Sequence, residues 1–404
     1  MAHAPIARYT QAHQFEPLLP QSGLEDLRRR SRDVVEQSYR LSSSAHGVTI
    51  ASLRELLRAM NSYYSNRIEG QSTHPRNIER ALRRDFSDKP DVARMQRLAL
   101  AHIEAERELE SRVQAGDVPL TAAFVRKAHA ALYGRLAESD RVTANNRLIV
   151  PGGLRHQQVA VGRHEPPPPE ALPTFLERYD QVYGCPVTLD DLFFTVAAAH
   201  QRMAWIHPFL DGNGRASRLQ THCALFCLSG GLWSVSRGLA RQRDAYYAHL
   251  DAADGPRQGD LDGRGNLSEK MLREWCAWFI GLCEDQVSFM ARMLNLDNMK
   301  TRIQALVIFR AAHDKKIRHE AIVPLYHLFL AGPTSRGEFQ QMTGLGERTA
   351  RSLLSRLIET GLVASDGHTA PVRFAFPLDA LQFILPELYP EAATSSDSAV
   401  ESGG

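Results

Sequence analysis

Several features that define common functional classes are missing from this sequence of 404 residues. It has five cysteines, an odd number without a Cys-x-x-Cys pair, which argues against a disulfide framework and against a zinc finger. Two of them, Cys223 and Cys227, are expected in the core as free thiols. The absence of Gly-x-x-x-x-Gly-Lys-Ser/Thr, Gly-x-Gly-x-x-Gly and His-Glu-x-x-His motifs argues against P-loop, Rossmann and zinc-hydrolase chemistry.

An excess of one charge and long apolar runs are also missing. The 48 Lys and Arg residues nearly balance 46 Asp and Glu residues, so the net charge of +2 implies no general attraction to nucleic acid or membranes. No apolar run approaches the length of a membrane span, and the first residues lack a signal-peptide core. We therefore expect a cytoplasmic protein without membrane contact, long enough for two or three domains of roughly 100–200 residues each.

The most informative segment is residues 207–218, which read His-Pro-Phe-Leu-Asp-Gly-Asn-Gly-Arg-Ala-Ser-Arg. A Gly-Asn-Gly turn followed by a helical pattern presents backbone N–H groups and a positive dipole end to an anion. Arg215 and Arg218 are neighbours on the first turn of that helix and are expected to point toward the same anion. His207 can accept a proton from a hydroxyl, and Asp211 is a suitable oxygen ligand for Mg²⁺. A Gly-Asn-Gly sequence alone is commonly just a turn, but the whole run suits nucleotide phosphate chemistry.

This run resembles the signature of the Fic family, His-Pro-Phe-x-Asp/Glu-Gly-Asn-Gly-Arg-x-x-Arg, at every defined position. The resemblance implies a mainly helical enzyme that transfers AMP from ATP, with Mg²⁺, to Ser, Thr or Tyr hydroxyls of proteins, itself included. It makes His207 the general base, Phe209 the anchor of the loop and Asp211 the Mg²⁺ ligand. The implied phosphate contacts are Gly212, Asn213, Gly214, Arg215 and, for the γ-phosphate, Arg218.

A second match lies upstream, where residues 65–70 resemble the Ser/Thr-x-x-x-Glu-Gly/Asn pattern of the inhibitory helix in self-restrained Fic proteins. The defined residues of that pattern are Ser65, Glu69 and Gly70. Apolar residues at helical spacing predict a helix over about 48–70, which places Glu69 in the last turn and makes Gly70 a C-cap. A carboxylate there opposes the helix dipole unless a cation answers it, and Arg218 is the natural cation. The alternative is an ordinary solvated glutamate.

A third segment, residues 153–165, alternates small apolar and polar residues and predicts a short strand in a hairpin. The four prolines that follow favour an extended exit from it. The segment resembles the Fic flap, which holds the modified side chain of a target protein, here along residues 155–164. Its implied nucleotide-facing end is Val161, Gly162, Arg163 and His164. Without the resemblance, the segment reads as an ordinary surface hairpin.

Further along the chain, residues 243–247 resemble the stretch that shelters adenine in Fic proteins. Adjacent helical tyrosines point in different directions, so we assign Tyr246 to the nucleotide and Tyr247 to packing. Asp254 stands where relatives often have Asn, and a carboxylate can accept but not donate a hydrogen bond. The resemblance still places Asp254 among the nucleotide contacts.

The C-terminal part predicts a separate unit. Two short helices around a turn at residues 343–346, followed by two strand-like runs, match a winged helix-turn-helix. Eleven Lys and Arg residues against seven Asp and Glu residues in 300–385 permit DNA contact. The exposed early turns of the second helix carry the candidate DNA contacts Arg348, Thr349, Arg351 and Ser352. Protein contact or dimerisation alone is the alternative role of this unit.

We therefore predict a mainly α protein: a Fic-type helical bundle with a small β-hairpin flap, plus a C-terminal winged helix. The predicted division is an N-terminal helical region at 1–112, a catalytic domain at 113–298, a winged helix at 299–391 and a disordered tail at 392–404. The predicted function is that of a protein adenylyltransferase that is autoinhibited by Glu69 and forms a homo-oligomer. Because some Fic proteins with such a glutamate also remove AMP, removal of AMP is a further expected activity. The alternative is a DNA-binding transcriptional regulator whose Fic part senses nucleotide.

Overall fold

The computed structural model describes residues 9–42, 46–71 and 73–389, most of which are helical. The helices are α1 (Leu24–Ser42), α2 (Gly47–Ile68), α3 (Pro75–Leu82), α4 (Pro90–Gln114), α5 (Ala122–Tyr133), α6 (Leu172–Tyr183), α7 (Leu192–Ile206), α8 (Asn213–Ser229), α9 (Val235–Arg241), α10 (Arg243–Ala253), α11 (Glu269–Met293), α12 (Leu296–His313), α13 (Ile322–Ala331), α14 (Arg336–Met342), α15 (Glu347–Glu359) and α16 (Leu381–Ile384). Two short strands, β1 (Val363–Ala364) and β2 (Arg373–Phe374), pair antiparallel. The tail predicted at 392–404 lies outside the described residues. None of the described helices combines the length and apolar character of a membrane span.

Helices α7 and α8 form the centre of the larger part of the molecule. α7 is apolar around almost its whole circumference and is buried between α6, α8, α10 and α11, as expected of a helix without a polar face. α8 packs against α7 on one side and against α4 and α5 on another. The connection between α7 and α8 is residues 207–212, so the most informative segment of the sequence joins the two central helices.

The predicted helix at 48–70 is α2, and it is buried on several sides. It packs against α4 and α9, and it also contacts the C-terminal part of the chain. There the Thr49 hydroxyl donates to the Phe329 carbonyl at 3.0 Å, and the Tyr64 hydroxyl donates to the Leu388 carbonyl at 3.1 Å. The N-terminal helices, the central pair and the C-terminal helices therefore share one continuous hydrophobic core.

In the C-terminal part, α14 ends and α15 begins on either side of the predicted turn at residues 343–346. α14 starts with a capping box, in which the Ser335 hydroxyl accepts from the Glu338 N–H and the Glu338 carboxylate accepts from the Ser335 N–H. β1 and β2 follow α15, and Thr334 forms an isolated antiparallel bridge with Val372. The predicted boundaries at 112–113 and 298–299 fall within α4 and α12.

Two local expectations from the sequence were wrong. In place of a strand, residues 153–169 contain a single isolated bridge between Val161 and His164. The segment forms hydrogen bonds with carbonyl groups outside any strand, for example from the Gln158 side-chain amide to the Pro166 carbonyl at 2.8 Å. The prolines that follow have no N–H group with which to form a ladder. Cys223 is buried as expected, but Cys227, one turn later and near the end of α8, is exposed.

Candidate active site

The loop between α7 and α8 is held in one shape by its own side chains. α7 ends at His207, which adopts a left-handed conformation with φ of 49°. The Asn213 side chain then clamps Phe209, accepting from its N–H at 2.9 Å and donating to its carbonyl at 2.9 Å. The Phe209 ring is buried and stacks on His129 at a centroid distance of 4.0 Å. The Fic resemblance implied this anchoring role for Phe209.

His207 is a neutral imidazole at physiological pH. Burial, followed by the positive field of Arg155 and the neighbouring His164, lowers the pKa of His207 to about 4. The Arg155 guanidinium also donates to the His207 carbonyl at 2.8 Å, which fixes the backbone beneath the ring. A neutral imidazole has one nitrogen that accepts a proton, so the residue suits a general base.

The first turn of α8 offers backbone N–H groups next to an open space. Gly212 is left-handed, with φ of 80°, and a side chain on it would overlap the Tyr133 hydroxyl. A side chain on Gly214 would overlap the Glu69 carboxylate, so glycine is needed for this close approach. The N–H groups at the start of a helix have no partner within it and attract anions.

Glu69 already provides an anion at this turn. It caps the C-terminus of α2, followed by left-handed Gly70, and its Oε1 lies 2.6 Å from a terminal nitrogen of Arg218. Arg218 is buried and also donates to the Ser65 hydroxyl and carbonyl, each at 3.0 Å. Burial alone would raise the pKa of Glu69, but Arg218 and Arg215 outweigh it and hold that pKa below its usual range. The side chain of Glu69 is therefore an ionised partner of Arg218 rather than a freely solvated group.

Arg215 takes a different direction from the one expected. Its guanidinium donates to the Gln71 side chain at 2.7 Å and to the Tyr133 hydroxyl at 2.8 Å. It contributes to the field at Glu69, but it forms its hydrogen bonds elsewhere, so the structure does not bring both arginines onto one anion. The reason is the 100° step between successive helix positions, which turns residues three apart away from one another by about 60°.

Asp211 fits the requirements of a Mg²⁺ ligand. Its Oδ1 accepts the Gly212 N–H at 2.5 Å, which orients the carboxylate, and 43% of its side chain is exposed. The nearest cation is Arg215, at 3.8 Å, too long for a hydrogen bond that would occupy the carboxylate. Mg²⁺ commonly uses one or two protein carboxylates and takes its other ligands from water and phosphates.

A cavity of about 450 Å³ opens over these groups, a volume typical of small-ligand sites. Its floor contains His207, Glu69 and Arg218, with Asn213 and Gly214 from the first turn of α8. The other lining residues are Val161, Gly162, Arg163, His164, Ala204, Tyr246, Tyr247, Leu250, Asp251 and Asp254. The predicted Mg²⁺ ligand Asp211 and the predicted phosphate contacts Gly212 and Arg215 do not line it. Most of the residues predicted from distant parts of the sequence thus meet at one site.

The turn at residues 161–164 forms one wall of the cavity. Val161 and His164 exchange two backbone hydrogen bonds, at 2.9 and 3.0 Å, around the left-handed Gly162. The His164 ring contacts the Trp205 carbonyl at 2.7 Å, and Arg163 forms an exposed ion pair with Asp251. The turn is therefore tied both to α7 and to α10.

Both tyrosines of α10 line the cavity, the predicted nucleotide contact Tyr246 as well as Tyr247. Tyr246 is buried, and its hydroxyl lies 2.8 Å from the His200 ring, so it belongs mainly to the core. Tyr247 is 41% exposed and presents the more accessible aromatic surface to the cavity. Their ring centroids lie 5.2 Å apart, so the rings diverge less than expected of adjacent helix positions, and the rotation of α10 decides how far each ring reaches the cavity.

Asp254 sits at the rim as a half-buried carboxyl bonded to Gln201 at 2.7 Å. Burial raises its pKa to about 7, so a large fraction is protonated near neutrality and can donate a hydrogen bond, as an asparagine would.

Asp251 and Arg155 were missed from the sequence. Asp251 lies three residues before Asp254 on α10, a spacing that could have indicated it. Arg155 acts through carbonyl groups, which leave no trace in the sequence.

Comparison with known proteins finds a family match over the central part of the chain. The sequence model of the Fic/DOC family matches residues 119–225. The protein adenylyltransferase Fic of Drosophila yakuba is 31% identical over 144 residues, which cover 35% of this chain and 28% of that relative. The enzyme of the same name from Drosophila melanogaster matches to the same extent. The chain therefore spans less than a third of the length of these relatives.

The crystal structure of a Fic family protein from Desulfovibrio desulfuricans G20 resembles the fold as a whole. The TM-score is 0.51 at 16% sequence identity, over 91% of this chain and 99% of that protein. At this identity the likeness concerns the fold alone. The mainly helical architecture around α7 and α8 thus resembles the fold of a Fic family protein, and residues 119–225 match the Fic/DOC family and are similar to part of protein adenylyltransferase Fic.

Proposed function

We propose that this protein is an adenylyltransferase that transfers AMP from ATP to Ser, Thr or Tyr hydroxyls of proteins, including itself. One observation carries the proposal: an ion pair between Glu69 and Arg218 stands in a cavity beside the neutral base His207. A carboxylate bound by a buried arginine at a helix N-terminus marks a place where a phosphate fits equally well. The activity named for the Drosophila relatives supports the same interpretation.

In the proposed reaction, ATP lies in the cavity with its γ-phosphate at Arg218 and its base toward Tyr247. The target hydroxyl gives its proton to His207 as its oxygen forms a bond with the α-phosphorus. The bond from the α-phosphorus to the bridging oxygen breaks, and pyrophosphate leaves. Asp211 would hold Mg²⁺, which when bound neutralises phosphate charge. The protein itself contributes orientation, an anion site and the base.

The target side chain would reach His207 past the turn at 161–164. Val161 is 39% exposed at the cavity wall, beside the exposed Arg163. A peptide lying along residues 155–164 would place a hydroxyl near the base, although the short bridge offers little edge for main-chain pairing.

Glu69 would hold this activity in check. While it occupies Arg218, a γ-phosphate cannot use the same guanidinium, and ATP would bind with its α-phosphate misplaced for in-line attack. Ser65 and Gly70 support the arrangement, because Ser65 also binds Arg218 and Gly70 allows α2 to end at Glu69. The charge of Glu69 also acts on His207, so the proposal includes removal of AMP by a water held between them.

Two labelled forms of ATP test this proposal. Purified wild-type chain and the Glu69→Gly variant are incubated with Mg²⁺ and ATP labelled in either the α- or the γ-phosphate. We expect protein-bound label from the α-phosphate only, and more of it in the variant. Label from the γ-phosphate would indicate phosphoryl transfer, and no label in either chain would favour a nucleotide sensor.

A second candidate function is DNA binding by the C-terminal part. We propose that residues 322–376 form a winged helix, since α13, α14 and α15 are followed by β1 and β2, with Thr334 bridged to Val372. On α15, Arg348, Arg351 and Ser352 are exposed and Thr349 is half-buried, as a DNA-reading helix requires. Duplex binding that weakens steeply with salt would support this function.

A further inference from the structure

A second group of buried polar side chains lies beneath α2, outside the cavity described above. It is formed where α2, α4 and α8 meet, and we call it the buried polar cluster. Its members are Asn61, His102, Glu106, Glu110 and His222, all at most 4% exposed. None of these residues lines the 450 Å³ cavity.

Three of these side chains converge on one point. The His222 Nε2 atom lies 2.8 Å from a carboxylate oxygen of Glu110 and 3.5 Å from one of Glu106. One donor atom from each of the three residues lies within 4.8 Å of the others. Ligand atoms about 2.0–2.2 Å from one metal ion are themselves roughly 3–4 Å apart, so little movement is needed to place an ion among them.

His102 supplies an independent observation. It is 2% exposed, and neither ring nitrogen has a hydrogen-bond partner among the described residues. Its Nδ1 faces the cluster, 3.9 Å from the second oxygen of Glu106, which is too long for a hydrogen bond. A fully buried imidazole without a partner is rare, since most buried polar groups are satisfied. A metal ion between His102 and Glu106 would satisfy it.

The local charge balance also leaves room for a cation. Glu106 and Glu110 are two buried carboxylates, and of these two Arg58 is paired with Glu110, at 2.5 Å. Arg58 is shared with Glu55, also at 2.5 Å. Asn61 donates to Glu106 at 2.8 Å, which orients that carboxylate without neutralising it. The remaining negative charge needs either a proton or a metal ion.

We propose that the buried polar cluster binds one divalent transition-metal ion, for which Zn²⁺ is the probe, through Glu106, Glu110, His222 and His102. Two imidazoles with two carboxylates suit Zn²⁺ and its neighbours, whereas Mg²⁺ and Ca²⁺ prefer oxygen ligands throughout. Asn61 and Arg58 are positioning residues that orient Glu106 and Glu110. Because both lie on α2, the ion would join this helix indirectly to α4 and α8.

The test uses the full chain without a histidine tag, stripped of metal with a chelator and dialysed. Zn²⁺ is titrated by calorimetry, and bound metal is counted by elemental mass spectrometry. We expect one tightly bound ion per chain and a raised melting temperature, both lost in His222→Gln and Glu106→Gln. His313→Gln, at an exposed histidine, is the matched control and should bind as wild type does.

Two further measurements keep the result interpretable. Co²⁺ added to the stripped wild-type chain should give the intense visible absorption of a four-coordinate site, which does not depend on any variant folding. Asp211→Asn should retain the ion, since that residue belongs to the other site. Absence of stoichiometric Zn²⁺ binding by the wild type would overturn the proposal and leave a cluster held by a proton. Binding lost in Asp211→Asn but kept in His222→Gln would overturn it as well.

Discussion

Replacing Glu69 by glycine should make this protein less stable and more active at the same time. Glu69 ends α2, and glycine is well suited to a helix terminus, so the substitution removes the carboxylate with little backbone strain. Arg218 then keeps its contacts with Ser65 but loses its charged partner. The substitution thus isolates the effect of the Glu69 charge on the anion site at Arg218.

The expected sizes follow from the geometry. Loss of one hydrogen bond between charged groups should lower the free energy of unfolding by about 1.5–3 kcal/mol. A phosphate oxygen taking a place about 4 Å from the Glu69 carboxylate would be repelled by about 4 kcal/mol at an effective dielectric constant of roughly 20. Every 1.4 kcal/mol corresponds to about tenfold in affinity, so productive ATP binding should improve by up to roughly a thousandfold.

Calorimetric titration with ATP and Mg²⁺, together with the initial rate of AMP incorporation, measures the gain, and thermal unfolding measures the loss. Glu69→Gln is the matched control, because it keeps the size and removes the charge, and it should fall between wild type and glycine. Unchanged ATP affinity in both variants, alongside the expected loss of stability, would refute the idea that Glu69 competes with a phosphate.

Three other predictions concern separate groups. His207→Ala should lower the rate of AMP transfer by about 10²–10⁴-fold while leaving ATP affinity nearly unchanged. The wild-type rate should be flat near neutral pH and should fall as the pH drops through the His207 pKa of about 4, because the protonated ring cannot accept a proton. A rate that does not change with pH in the acid range would exclude this base. Asp211→Asn should weaken binding of Mg²⁺-ATP but not of ATP with chelator, as measured by calorimetry. Arg348→Ala with Arg351→Ala should weaken binding to duplex DNA and reduce its salt dependence; a Glu347→Ala chain, altered beside them, is the control.

The sequence was most informative where one short segment contains several interacting groups. His207, Phe209 and Asn213 lie in one loop and helix start; the resemblance implied the anchoring by Phe209, whereas the clamp that Asn213 forms on Phe209 was not predicted. The contact between Glu69 and Arg218 was predicted over a long separation because residues 65–70 resemble the inhibitory motif, in which a carboxylate at a helix C-terminus is answered by a cation.

The remaining features depend on tertiary packing. How much of the Tyr246 and Tyr247 rings faces the cavity is decided by how α10 is rotated against α11, and the helical pattern does not fix that rotation. The segment that resembles the flap was predicted as a strand because its apolar and polar residues alternate. A strand also needs a neighbouring strand to pair with, and the prolines that follow cannot donate the hydrogen bonds of such a ladder. Arg155 bonds to backbone carbonyls, which every residue carries, so no motif indicates its role.

Epistasis between Glu69 and Arg218 tests the central claim most directly. Initial rates of AMP incorporation are measured for wild type, Glu69→Gly, Arg218→Ala and the chain with both changes, over a range of ATP concentrations. If Glu69 acts by occupying the guanidinium that the γ-phosphate needs, only Glu69→Gly should exceed wild type, and the double variant should be as poor as Arg218→Ala. Equal rates for wild type and Glu69→Gly, or a double variant as active as Glu69→Gly, would contradict the account.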